Sequence, residues 1–107
     1  MAQFILLLRG NGMARPDMSP EEMQQITGRY RTWMAKVGAT GQKLRDGEGR
    51  VVRRGAAVID GPFAESKEVL GGYLAIEASD YDEAVRICGD CPHLDFGSIE
   101  IRQVHQV

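Results

Sequence analysis

The sequence predicts an α+β domain in which one antiparallel sheet is covered by two helices. Three features predict it. The segment Phe4 to Leu8 is apolar at every position, and Ser19-Pro20-Glu21-Glu22 opens a run with apolar residues at spacings of three and four. Several short β-like segments are also broken by Asp-Gly and Gly-Gly pairs. A length of 107 residues suits a single domain, residues 1–107, and 43% apolar with 26% charged residues is globular composition.

Phe4 to Leu8, apolar on both alternating faces, reads as a central strand covered above and below. Arg9 to Met18 holds Gly10, Asn11, Gly12, Pro16 and Asp17, a loop long enough to reach over a pocket. A helix is expected from Ser19 to Val37. Ser19 caps it, Pro20 suits its first turn, and Glu22 completes a capping box. Met23, Ile26, Tyr30, Trp33 and Val37 form its apolar stripe, and Gly38 ends it in a left-handed conformation.

Ala39 to Leu44 and Val51 to Ile59 flank Arg45-Asp46-Gly47-Glu48-Gly49 and are expected to pair as an antiparallel hairpin. After the turn-rich segment Asp60 to Glu68, Val69 to Ala78 resumes strand character, with Gly71 and Gly72 marking a bulge or a close backbone approach. Ser79-Asp80-Tyr81-Asp82-Glu83 starts a second helix with Tyr81, Ala84, Val85 and Cys88 as its buried stripe. Gly89 and Pro92 stop it. Ser98 to Val104 alternates polar and apolar residues as a last strand with one wetter face.

This order is βαββαβ with one added strand, the ferredoxin-like plan. Both helices then cover one sheet face, and the other carries the remaining apolar residues of Phe4 to Leu8. A two-fold partner packed sheet against sheet would bury them, so a homodimer is expected. Net charge is −2 and the 13 Lys and Arg are scattered apart from Arg50 to Arg54, which argues against nucleic acid as a partner. The apolar run at Met1 to Leu8 has no basic leader, no cleavage site and too little length to span a bilayer. Together with only two cysteines, this leads to the expectation of a cytoplasmic protein without membrane association.

Asp60-Gly61-Pro62-Phe63-Ala64-Glu65-Ser66-Lys67-Glu68, followed by Leu70-Gly71-Gly72-Tyr73, resembles the signature of the YCII-related proteins, in particular their DGPF branch. The helix opening Ser-Pro-Glu-Glu, the Cys-Pro-His segment and the ending Ile99-Glu100-Ile101-Arg102 extend the resemblance to nearly the whole chain. The resemblance implies a dimeric α+β barrel of ferredoxin-like protomers. Some relatives act on aromatic-ring substrates such as chlorinated hydroquinones, and DGPF domains accompany extracytoplasmic-function sigma factors. In relatives considered catalytic, a histidine of the first helix works with an aspartate near its end. Here Ser19 to Val37 holds neither, so that dyad is not carried over.

Read from their chemistry, Asp60-Gly61-Pro62 terminates a strand: Asp accepts local N–H bonds, Gly permits unusual φ, and Pro fixes the next turn. Phe63 would anchor the loop. Asp60, Glu65 and Glu68 gather negative charge around Lys67, and a carboxylate facing an apolar pocket there is a candidate proton acceptor. The competing reading is a loop whose Asp caps its own turn while Glu65 and Lys67 stay solvated. Gly61, Pro62, Phe63, Glu65 and Lys67 are thus expected at the rim of a ligand pocket, joined by Arg9, which leaves the first strand and can meet an anionic ligand or simply face solvent.

His93 is the other candidate acid or base, because an imidazole titrates near neutrality. Its alternative is an exposed loop histidine. Asp60 and His93 are therefore the candidate catalytic residues. Cys88-Gly89-Asp90-Cys91 has CxxC spacing, yet a helix ends at it, and a helix C-terminus raises a thiol pKa, so Cys88 reads as a small buried hydrophobe. A zinc site would need all four of Cys88, Cys91, His93 and His105, so no metal and no cofactor are expected.

The function expected first is a dimeric small-molecule-binding or regulatory module. The alternatives are a lyase, isomerase or dehalogenase-like enzyme moving a proton on a ring substrate with Asp60, Glu65 or His93, and a partner domain of a sigma factor.

Overall fold

The computed structural model describes residues 1–10, 17–45, 49–52, 54–55, 59–61 and 70–106, with only the backbone of 59–61. Among them the elements run β1 (Ala2–Arg9), α1 (Pro20–Val37), β2 (Thr40–Lys43), β3 (Gly49–Val51), β4 (Ile59–Gly61), β5 (Leu70–Ala78), α2 (Tyr81–Cys88), a 3-10 turn (Pro92–Asp95) and β6 (Ser98–Gln103). Four strands form an antiparallel sheet in the order β2-β5-β1-β6, while β3 and β4 form a separate two-stranded ribbon. With the ribbon set aside, this is an α+β arrangement compatible with the ferredoxin-like fold.

The central position of β1 follows from its composition. Phe4, Leu6 and Leu8 are buried with Leu74, Ile76, Trp33, Ala84 and Cys88, and each large side chain taken from water contributes about 1.5–3 kcal/mol. Ile5 and Leu7 point to the other face and are half-buried.

Helix α1 opens on Ser19, whose hydroxyl accepts from the Glu22 N–H at 3.1 Å. The Glu22 carboxylate in turn accepts from that hydroxyl at 3.3 Å. Gly38 closes the helix at φ 72°, the left-handed conformation its position predicts. Of the expected stripe, Ile26 and Trp33 are buried, Tyr30 and Val37 are partly so, and Met23 is exposed. Helix α2 is capped by Asp80, which accepts from the Glu83 N–H at 2.8 Å. Ala84 and Cys88 are buried, Val85 faces solvent, and Tyr81 is half-exposed with its ring edge-on to Phe4 at 4.9 Å.

One expected pairing is overturned. Thr40–Lys43 pairs with β5, not with Val51 to Ile59. Val51 and Ile59 instead face each other in the β3–β4 ribbon, so the span between them contains a reversal. Gly55, at φ 70°, supplies a left-handed turn residue inside it. The Gly71-Gly72 expectation holds as a bulge: Leu8 pairs with Gly72 and Arg9 with Leu70, leaving Gly71 unopposed, and its carbonyl accepts from the Leu44 N–H at 2.9 Å. Among the described residues no helix is long and apolar enough to cross a membrane.

Candidate functional site

Along α1, Thr27, Tyr30, Arg31 and Met34 recur at helical spacing and look toward the β2 edge of the sheet, where they form one wall of a groove of about 330 Å³. Leu8 and Leu74 make the apolar floor, Gly41, Gln42, Lys43 and Gly71 the opposite wall, and His93 closes one end. Glycine at 41 is a requirement of the backbone. Its φ is 146°, and a Cβ there would lie against the Tyr73 carbonyl oxygen and 2.7 Å from the Leu74 Cα. The size is that of a small-molecule site. A larger depression of 620 Å³ lies between Met1, Ser79 and His105 at the chain ends, but it is shallow and brings no group of complementary chemistry together.

His93 is buried, only 4% exposed, rather than an open loop residue. The 3-10 turn that carries it begins at Pro92 and packs on α1. Nε2 lies 2.8 Å from the Arg9 carbonyl oxygen, and Nδ1 lies 3.1 Å from the Tyr30 hydroxyl. A carbonyl only accepts, so Nε2 carries the proton. In the neutral ring Nδ1 is then the acceptor and Tyr30 donates to it. Burial pushes the Tyr30 phenol far above its ordinary range, with Cys91 and Asp95 adding to the shift, so the hydroxyl stays protonated and serves as a donor. Gly97 makes room for the bridge: a Cβ there would meet the Arg9 carbonyl oxygen and come 3.1 Å from His93 Nε2. The turn is held to α1 from outside by Arg29 and Asp95 at 3.0 Å, an exposed pair of small energetic weight.

Tyr30 is the residue that sequence reasoning missed as a site group, since its position in the apolar stripe makes it look like core. The available signal was its hydroxyl, which needs a partner once the ring is buried. The Arg9 guanidinium lies on the open sheet face, bonded through Nε to Glu100 Oε1 at 2.9 Å, and Arg102 binds Oε2 of the same carboxylate at 3.2 Å. Arg9 does not line the groove and is linked to it only by the bond from its carbonyl to His93. The hydrogen bonds from Arg102 and Arg9 hold the Glu100 carboxyl below its ordinary range.

Asp60 and Gly61 fall within β4, where Asp60 pairs in register with Arg50 and Gly61 with Gly49. The side chain of Asp60, and Pro62, Phe63, Glu65 and Lys67, lie outside the described residues. Cys88 and Cys91 are buried free thiols. Burial, reinforced by Cys91, pushes the Cys88 thiol up to about 11, and burial raises Cys91 against a backbone hydrogen bond from His93. Among the described residues no three His, Cys, Asp or Glu side chains stand together as a metal site requires.

The fold and groove thus define a small α+β protein with a buried His93 bonded to a partly buried Tyr30 at the end of an apolar cleft. The family model of the YCII-related domain matches residues 14–107, and the chain belongs to that family. No curated protein matches the chain.

Proposed function

We propose that the protein is a dimeric small-molecule-binding or regulatory module whose ligand occupies the groove between α1 and the β2 edge. The single observation that carries this reading is the convergence of Tyr30, His93 and Gln42 around an apolar surface of Leu8, Met34 and Leu74. Binding is favoured over catalysis by the hydrogen bonds themselves. Both ring nitrogens of His93 are engaged, and burial keeps the Tyr30 phenol a donor rather than a base.

A second reading, a lyase- or isomerase-like proton transfer on a ring substrate, draws on the same pair. If Tyr30 turns its hydroxyl to a substrate oxygen, Nδ1 of His93 is left as a base inside the groove. The sequence Asp60 to Glu68 with Leu70-Gly71-Gly72-Tyr73 supports placement in the DGPF branch. The half-buried Ile5, Leu7 and Ala75, with the more exposed Tyr73 beside them on the open face, support a second copy packed sheet against sheet.

Methyl-labelled protein titrated with a set of ring-containing fragments tests the binding reading. Shifts confined to Leu8, Met34 and Leu74 are expected. Fragments that bind only at the chain-end depression, or none that bind, would remove it.

A further inference from the structure

Resting on the reading of the groove as a ligand site, we infer that its ligand carries an anionic group, a carboxylate or its equivalent, seated at Arg31, with an apolar body along Leu8, Met34 and Leu74.

Arg31 lines the groove beside Tyr30 on α1. Its helical neighbours three and four residues away are Thr27, Gly28, Met34 and Ala35, none of them acidic, so no partner is supplied along its own helix. Among the described residues lining the groove there is no Asp or Glu at all, while Arg31 and Lys43 stand on the two walls. The remaining polar groups favour the same sign. Thr27 and Gln42 can each donate a hydrogen bond, while the single O–H of Tyr30 is already given to His93. By contrast, Arg29 and Lys36 on the same helix point elsewhere and are bound to Asp95 and Asp90. An arginine left over an apolar floor with donors around it recognises a planar anion through its paired N–H groups. It repels an ammonium ion in the same place.

The test compares three probes of one shape and different charge: benzoate, benzyl alcohol and benzylamine, titrated into the full chain while the methyls of Leu8, Met34 and Leu74 are followed. Benzoate is expected to bind about three- to tenfold more tightly than the alcohol, the modest gain of a partly solvated ion pair, and benzylamine most weakly. Arg31→Gln is expected to abolish the preference for benzoate over the alcohol, and Arg31→Lys to restore part of it. Arg31 is exposed, so neither variant disturbs the core. If the alcohol or the amine binds at the same methyls as tightly as benzoate, the anionic assignment fails while the groove remains a ligand site. If none of the three moves those methyls, the groove reading and the charge assignment fall together.

Discussion

The Nε2–H of His93 donates to the carbonyl of Arg9 across 2.8 Å, and this one bond determines what the other side of the ring presents to the groove. It joins the turn before β6 to the end of β1, residues far apart in sequence, and leaves Nδ1 for Tyr30. A fold contact therefore sets the chemistry of the cleft.

Removing the Tyr30 hydroxyl strands the buried Nδ1 of His93. Tyr30→Phe is expected to lower stability by about 1–3 kcal/mol, the cost of an unsatisfied buried polar atom, with little change in packing. Urea unfolding followed by the fluorescence of Trp33, the single tryptophan, measures this. A loss below a few tenths of a kcal/mol would show that the hydrogen bond is not made.

Gly97→Ala is expected to be costlier, because the new methyl meets the Arg9 carbonyl backbone oxygen and crowds His93 Nε2. Separating β1 from the turn should cost about 2–4 kcal/mol, in the range of core overpacking and a broken buried hydrogen bond. The melting temperature should fall accordingly, whereas Gly28→Ala, where nothing stands within 4 Å of an added Cβ, is expected to be neutral or stabilising.

The buried Cys88 thiol predicts an alkaline limb. Its pKa rises from 9.0 to about 11 on folding, so the folded state binds the proton more tightly. That contribution to stability is fully present below pH 9 and is lost as pH rises towards 11. Denaturation midpoints should fall over this window, and Cys88→Ala should flatten that fall. Native thiols should resist iodoacetamide at pH 7.5 and react on unfolding.

Glu100 predicts an acid limb of opposite sign. Arg102 and Arg9 lower its folded pKa, so the stability they contribute is present above the ordinary carboxyl range and lost as pH falls through the lowered value. Glu100→Gln should therefore be less stable than the parent at pH 7, with the gap closing in acid and in high salt, since the site is partly exposed.

Much of the fold was legible because local chemistry and tertiary contacts agree. The Ser19 cap, the Gly38 stop and the Gly71-Gly72 bulge each follow from residues whose backbone needs are specific. The hairpin between Ala39 to Leu44 and Val51 to Ile59 failed because alternation cannot say which partner a strand takes. Gln42 finds Tyr73 across the sheet, a contact 31 residues away by number, and no local signal encodes it. The site was half legible. His93 could be singled out by its chemistry, but Tyr30 and Arg9 join it only through the packing of the turn against α1 and β1, and periodicity alone assigns Tyr30 to the core.

The most direct test of the central claim, a His93 held by its Nε2–H to Arg9 and by Nδ1 to Tyr30 at the end of a ligand groove, is a long-range ¹H–¹⁵N spectrum of the imidazole at pH 7, with and without a bound fragment. A protonated Nε2 and an unprotonated Nδ1 are predicted, with the Nδ1 signal moving in Tyr30→Phe and when the fragment binds. A proton on Nδ1, or a ring indifferent to both the substitution and the ligand, would contradict it.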